Sequence, residues 1–165
     1  MRAARLAARA LALLGPVSGP VAVVSPHSPG LAAALATRVR PVADGESPAA
    51  AVVVFLGAPA RPADRQQVIR AVQTRLPADA VLVLVDHNQP RAWWRRVRGW
   101  TALAAAGLDP GRARYPAARE LAALGFAVER LRLACGERVQ LVAARRVIDP
   151  RPCLGSGTDG ESAAR

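Results

Sequence analysis

Three short, valine-rich apolar runs constrain the fold of this chain more than any other feature of the sequence. They are PVAVVS (20–25), AAAVVVFLG (49–57) and DAVLVLVDH (79–87). Each run is apolar at consecutive positions rather than at every second one, which is typical of strands buried on both faces of a parallel sheet. Parallel strands need crossover connections, so the segments between the runs are expected to be helices.

The connecting segments carry helical signals of their own. Residues 28–40 begin with Ser28, a residue type that caps helices, and Pro29 follows at the first helical position. Residues 61–76 have apolar side chains at helical spacing. These side chains are Val68, Ile69, Val72 and Leu76. The arginine-bearing segment 1–19 is predicted to be a short amphipathic helix and linker rather than a targeting peptide.

A helix and two strands complete the predicted domain. The helix covers 117–125, and the strands cover 126–135 and 138–147 with a Gly-Glu turn between them. A tight turn joins antiparallel strands, and imperfect alternation in the first of the two predicts a bulge. We therefore predict an α/β fold, a three-layer sandwich with a mostly parallel sheet and an antiparallel C-terminal hairpin. The domain spans 1–148, and the Gly/Ser/Pro-rich tail 149–165 is predicted to be disordered.

Basic residues outnumber acidic ones by 23 to 12, for a formal net charge of +11. All are arginine, which a GC-rich genome explains, but the excess favours anionic partners such as nucleic acid, an acidic protein or an anionic membrane surface. Cys135 and Cys153 have no metal-ligand spacing with His27 or His87, so no metal site is predicted. No run is long enough to span a membrane, and we expect a soluble, cytoplasmic protein.

The C-terminal motifs follow an order that is seen in one enzyme family. Asp86 follows VLVLV, RELAALGF (119–126) ends a helix in Gly-Phe, and AVERLRLACGERVQLVAARR (127–146) supplies the last two strands. This order resembles the class I S-adenosylmethionine-dependent methyltransferases. The resemblance implies a Rossmann-like sheet, S-adenosylmethionine as cofactor and in-line methyl transfer as activity. Compared with that family, the chain lacks room for two strands and a helix after residue 40, so the sheet is reduced in strand number.

The turn after the first strand is where the resemblance places the cofactor. The family uses a glycine-rich turn because the backbone there approaches the cofactor closely. Here the turn is SPHSPG (25–30), in which Pro26 and Pro29 fix φ and remove two N–H donors. Gly30 is its one glycine, so this glycine-rich motif is degenerate and weakened or lost cofactor binding is predicted.

The family also holds the ribose hydroxyls with an acid from one of the missing strands. Asp44 and Glu46 are the acids that remain in reach, and they fall in a Gly/Pro connector. Solvated turn residues are the favoured interpretation of both.

Polar residues at the carboxyl ends of the three strands form the candidate site, because open α/β sheets bind ligands there. The candidate catalytic residues are His27, Asp86 and His87. The candidate cofactor-binding residues are Ser25, His27, Gly30, Gly57 and Asp86. Simpler alternatives stay open: His27 is a plain loop residue, and Asp86 to Gln89 form a helix-capping turn in which Asn88 precedes Pro90.

The segment RAWWRRVRGW (91–100) combines tryptophan and arginine within a predicted helix over 89–107. Trp93 and Trp100 share a helical face, and we expect most of the tryptophan surface to pack on the sheet. For the arginines, contact with RNA or another anionic surface is the alternative to plain solvation. The arginines concerned are Arg91, Arg95, Arg98, Arg112 and Arg114.

The missing strands leave 20–25 at the edge of the predicted sheet, where an apolar strand can pair with another chain. A protein partner or homo-oligomer through this edge is therefore predicted. Two functions stay open, a binding or assembly subunit and an active small methyltransferase that uses the strand ends at 25–30, 57–59 and 86–89. The proline-containing turn favours the first. Another small-molecule reaction in the same pocket is a third, less favoured possibility.

Overall fold

The computed structural model describes residues 2–56, 62–88, 90–94 and 116–147. Four helices and five strands lie in these ranges. In chain order they are α1 (Arg2–Leu14), β1 (Val21–Val24), α2 (Pro29–Ala36), β2 (Ala50–Val54), α3 (Pro62–Arg75), β3 (Val81–His87), α4 (Pro116–Ala123), β4 (Phe126–Ala134) and β5 (Val139–Arg146). The predicted helix over 89–107 is described only as far as residue 94, and the predicted tail 149–165 lies outside the described residues.

The five strands form one sheet in the order β1-β2-β3-β5-β4. β1 pairs with β2 and β2 with β3 in parallel, whereas β5 runs antiparallel to both of its neighbours, β3 and β4. The predicted mixed sheet with an antiparallel C-terminal hairpin is confirmed, and β1 lies at the edge as expected.

The sheet separates two apolar cores, because alternate strand residues point to opposite faces. On one face, α1 and α2 contribute Leu13 and Leu35 to a core with Val83 and Leu141. On the other face, helices α3 and α4 pack against the sheet, with Leu121 of α4 fully buried. The predicted three-layer sandwich is therefore confirmed.

The element boundaries refine the sequence predictions in two places. Ser28 occupies the position before α2, but its side chain makes no capping hydrogen bond, and α2 ends at Ala36 rather than at residue 40. The predicted bulge lies between Val128 and Arg130, where the β4–β5 register shifts by one residue. In the described ranges, no helix combines the length and apolar character needed to cross a membrane.

Candidate functional site

The carboxyl ends of β1, β2 and β3 lie side by side at one end of the strands, which we call the rim. The parallel register aligns Val24 with Val53 and Val54 with Val85. Ser25 and His27 therefore follow β1 at the same edge at which Asp86 and His87 end β3, with β2 between them. Parallel strands are about 4.8 Å apart, so the two groups are about 10 Å apart across the sheet. The predicted candidate Gly57 lies outside the described residues.

The β1–α2 turn is held by hydrogen bonds to a single carbonyl oxygen. The Ser28 carbonyl accepts from Ser25 Oγ at 3.0 Å, from the Leu31 N–H at 3.1 Å and from the Ala32 N–H at 3.0 Å. The Ser25 hydroxyl hydrogen is thus used within the turn. Pro26 and Pro29 have no N–H to offer, so this turn presents fewer backbone donors than a glycine-rich one.

Gly30 lies inside the first turn of α2 and has no special backbone conformation. A Cβ built at Gly30 would meet no atom within 4 Å, and its φ is outside the left-handed region. The fold itself therefore places no steric demand for glycine at this position. Gly30 leaves open space at the rim, but a single glycine in a helix does not reproduce a cradle of backbone N–H groups.

Asp86 faces α3 and α4, because it alternates in phase with Leu82 and Leu84 of the core on that side. Its carboxylate accepts a hydrogen bond from Arg65 Nη2 through Oδ2 and one from the His87 N–H through Oδ1 at 2.8 Å. Arg65 is 3% exposed and Asp86 is 1% exposed. This buried ion pair joins α3 to the end of β3.

Glu120 of α4 completes the cluster from a third element. Its Oε1 accepts from Arg65 Nε at 3.2 Å, and its Oε2 accepts from Arg65 Nη2 at 2.7 Å. Burial alone would lower the pKa of the Arg65 guanidinium, but the hydrogen bond to Glu120 and the charge of Asp86 outweigh it and raise the pKa. The cation is therefore permanent, and we call Arg65, Asp86 and Glu120 the buried triad.

His87 points to the opposite face, where its ring lies against Phe55. The ring centroids are 4.6 Å apart and the planes are inclined by 33°. Burial lowers the pKa of His87, the charge of Asp86 partly opposes this, and Arg65 adds to the lowering. The imidazole is therefore neutral at pH 7. Phe55 itself has φ 44°, a left-handed conformation that is costly for a residue with a bulky side chain.

Asn88 contacts the β4–β5 turn. Its Nδ2 donates to the Glu137 carbonyl at 2.8 Å, and its N–H donates to the Arg138 carbonyl at 2.8 Å. The segment after Asn88 also contacts the β4–β5 turn, since the Arg91 N–H donates to Glu137 Oε2 at 2.9 Å. Asn88 thus anchors the exit from β3 against the C-terminal hairpin.

The tryptophan prediction is wrong at Trp93. This side chain is 72% exposed and Trp94 is 50% exposed, so neither has most of its surface packed on the sheet. Helical spacing shows which residues share a face but not whether another element covers that face. Among the predicted anion-binding arginines, Arg91 is exposed. Those outside the described residues are Arg95, Arg98, Arg112 and Arg114.

Asp44 and Glu46 lie near the amino end of β1, opposite to the rim. The connector that carries them passes β1 where the Val21 N–H donates to the Arg40 carbonyl at 2.9 Å. Glu46 is paired with Arg40 at 2.8 Å and also accepts from the Ala43 N–H at 3.3 Å. The connector that carries both acids therefore meets β1 at its amino end, not at the rim.

Metal chemistry receives no support from the part of the chain that the structure describes. Within it, no three or more His, Cys, Asp or Glu side chains come together as metal ligands. Cys135 is an exposed free thiol in the β4–β5 turn.

Two comparisons of the sequence find no relative: no protein-family model matches it, and neither does any curated protein. Solved structures do match the fold. The mitomycin 7-O-methyltransferase MmcR superposes with a TM-score of 0.57 at 20% identity, over 88% of this chain and 53% of its own length. LepI, solved in complex with SAM, gives a TM-score of 0.52 at 14% identity, over 89% of this chain and 40% of its own.

The fold is methyltransferase-like. The resemblance noted in the sequence is thus confirmed at the level of the Rossmann-type architecture, because identities this low show the fold alone. The chain spans about half the length of MmcR, 53%.

The buried triad is the part of this region that sequence reasoning missed. A signal was present, since Arg65 shares the buried helical face of Ile69 and Val72 at positions i, i+4 and i+7. An arginine on that face needs a buried anion, and Asp86 is in phase with the apolar side of β3 that this face covers.

Proposed function

We propose that this chain is a methyltransferase-fold binding and assembly subunit that does not hold S-adenosylmethionine in the way usual for the fold. The observation that supports this most directly is the β1–α2 turn. Pro26 and Pro29 lack N–H groups, the Ser25 hydroxyl donates to the Ser28 carbonyl, and that carbonyl also accepts the first N–H groups of α2. The turn thus offers few groups to bind a cofactor, which supports weakened binding of S-adenosylmethionine.

The distribution of acids supports the same conclusion. In Rossmann-type folds, an Asp or Glu that follows the first βα turn in the chain binds the ribose hydroxyl. Asp44 and Glu46 lie near the amino end of β1, and Glu46 is paired with Arg40. Asp86 does lie at the rim, but its carboxylate is buried, faces α3 and is bound to Arg65.

A thermal-shift titration with S-adenosylmethionine tests this part of the proposal. A ligand at 100 times its Kd stabilises a protein by about 2.7 kcal/mol. For a domain of this size that corresponds to roughly 5–10 °C in Tm. We expect a shift of less than about 1 °C at 1 mM ligand, whereas a Kd near 10 µM would give the full shift and contradict the proposal.

The assembly role rests on the outer edge of β1. The Val21 N–H points away from β2, toward Arg40, and the two-residue period of a strand turns the N–H and C=O of Val23 the same way. A groove of about 450 Å³ runs along this edge, with Asp44 and Arg75 among its lining residues. The Val21 N–H is taken by the Arg40 carbonyl, but the Val23 N–H and C=O have no outward backbone partner among the described residues. Such free edge groups beside a groove suit the addition of another strand.

A second copy of this chain is the partner that the groove fits best. An interface with two-fold symmetry brings the same patch of two molecules together. Because the patch contains both an acid and a base, Asp44 of one copy can face Arg75 of the other. Pairing of two β1 edges would extend the sheet through both molecules.

Light scattering on two proline variants tests the edge. Proline at Val23 removes an N–H that points outward, so the fold should persist while self-association is lost. Proline at Val24 is the matched control, because it removes an N–H that faces β2 and should destabilise the fold itself. A wild-type protein that stays monomeric up to 200 µM, or a Val23→Pro protein that still dimerises, would contradict the assembly role.

One observation favours the alternative of an active small methyltransferase. His87 is a neutral, half-buried imidazole at the rim, a suitable base for an acceptor hydroxyl. This alternative requires cofactor binding beside Gly30. It predicts saturable binding of S-adenosylmethionine that Gly30→Leu abolishes, since the new side chain would occupy the open space there.

A further inference from the structure

The bulge in β4 changes which face of the sheet its arginines occupy. Val128 pairs with Ala144, in the core under α4. The register then shifts, so that Arg130 pairs with Ala143 and Arg132 pairs with Leu141. Ala143 belongs to the core under α1, and so does Leu141. Without the bulge, strict alternation would have kept both arginines on the side of Val128.

A groove of about 400 Å³ lies between these arginines and α1. Its apolar side chains come from α1 and β5, and Arg9 of α1 lines it on the helix side. The lining residues are Arg9, Ala12, Leu13, Arg130, Arg132, Leu133 and Leu141. Among them three are basic and none is acidic. The volume is in the range of small-molecule sites in proteins.

The three guanidinium groups are exposed and have no hydrogen bond or ion pair within the described part of the chain. Other arginines near the sheet are paired: Arg65 binds two carboxylates, and Arg145 of β5 binds Glu129 at 2.6 Å. Three like charges around one apolar groove repel one another. An anion placed between them would remove that repulsion and accept their fork-shaped donors.

We propose that this groove binds an amphipathic organic anion, a carboxylate or phosphate monoester attached to an apolar body of small-molecule size. The head group contacts Arg9, Arg130 and Arg132, and the apolar body lies on Leu13 and Leu141. No aromatic side chain is among the lining residues, which disfavours a stacked single-stranded nucleic acid. The groove is concave, which favours a free small molecule over a flat membrane surface. The groove lies on the α1 face of the C-terminal hairpin. Binding of an anion there does not depend on the proposed function.

The test is a calorimetric titration with octyl phosphate below its critical micelle concentration, with octyl glucoside as the uncharged ligand of equal chain length. Wild-type protein should bind the phosphate and not the glucoside, and added salt should weaken binding. Arg130→Gln/Arg132→Gln should lower the affinity about 10- to 100-fold, the loss of charge-assisted hydrogen bonds worth about 1.5–3 kcal/mol. Both substitutions lie at exposed positions of an edge strand, so the fold should be retained.

Arg70→Gln is the matched control. It removes one exposed arginine from α3, on the other side of the sheet, and should leave the affinity unchanged. Equal binding of both ligands, or equal affinity in the wild type and the double variant, would overturn the proposal. Inorganic phosphate that binds as tightly as octyl phosphate would also overturn it, because the apolar surface would then contribute nothing. Binding to vesicles with phosphatidylglycerol but not to octyl phosphate would assign the arginines to a membrane surface instead.

Discussion

Removal of the cation from the buried triad should be among the most destabilising single changes in this fold. Arg65→Met keeps the length and apolar stem of the side chain but deletes the partner of two carboxylates. The Glu120 side chain is 12% exposed and can recruit water. The Asp86 side chain is buried and keeps only the 2.8 Å bond from the His87 N–H among its described contacts. Breaking a buried pair in this way costs about 3–5 kcal/mol.

Urea unfolding followed by far-UV circular dichroism measures this cost. With a slope of about 2 kcal/mol/M, a loss of 3 kcal/mol moves the midpoint down by about 1.5 M. Arg145→Met is the matched control, since the 2.6 Å ion pair of Arg145 with Glu129 has side chains that are 42% and 32% exposed. Arg145 also donates to the Asp79 carbonyl at 2.8 Å, and the midpoint of this variant should fall by less than about 0.5 M, as expected for an exposed pair. The double variant Arg65→Met/Asp86→Leu removes both buried charges and should recover most of the loss.

The outcome of this series is diagnostic. A drop below about 1 kcal/mol for Arg65→Met would refute the argument, because it would mean that water reaches Asp86 freely. A double variant as unstable as the single one would also refute it. The destabilisation would then come from lost packing around the arginine stem rather than from an unpaired carboxylate.

Two further predictions concern His87 and the tryptophans. Burial holds the pKa of His87 below that of the unfolded chain, so the unfolded state takes up a proton first and stability should fall as pH drops below about 6.5. Urea midpoints at pH 7.5 and 5.5 should show a smaller fall for His87→Gln than for wild type. Trp93→Ala should change the free energy of unfolding by less than about 0.5 kcal/mol because the side chain is 72% exposed, whereas Leu121→Ala in the core should cost about 2–5 kcal/mol. Equal pH dependence in wild type and His87→Gln, or a Trp93→Ala loss comparable to that of Leu121→Ala, would contradict these predictions.

The strands were predictable because a strand buried on both faces has apolar residues at consecutive positions, a pattern that can be read locally. Val52 to Val54 and Leu82 to Val85 are buried to the last residue, and consecutive apolar residues indicate that environment directly. The edge position of β1 also followed from the sequence, since the missing strands would have lain beside it. The bulge was visible as broken alternation around Glu129, although its effect on Arg130 was not.

The buried triad could not be predicted from the sequence, because it depends on contacts between residues that are distant in the chain. Arg65 meets Asp86 at a separation of 21 residues and Glu120 at a separation of 55, and no local pattern names such partners. Asp86 was identified as a rim residue, and the structure places it there, but its side chain is directed toward α3. The exposure of Trp93 was missed for the same reason, because periodicity does not reveal which face is covered. The catalytic and cofactor roles of His27, His87 and Gly30 remain predictions.

Isothermal titration of S-adenosylmethionine into the wild-type protein, with Gly30→Leu run in parallel, tests the central claim most directly. We predict no saturable heat from either protein at ligand concentrations up to 1 mM, while circular dichroism shows both to be folded. A saturable isotherm with a Kd below about 100 µM in the wild type, lost in Gly30→Leu, would contradict it, because the proline-containing turn would then hold the cofactor after all.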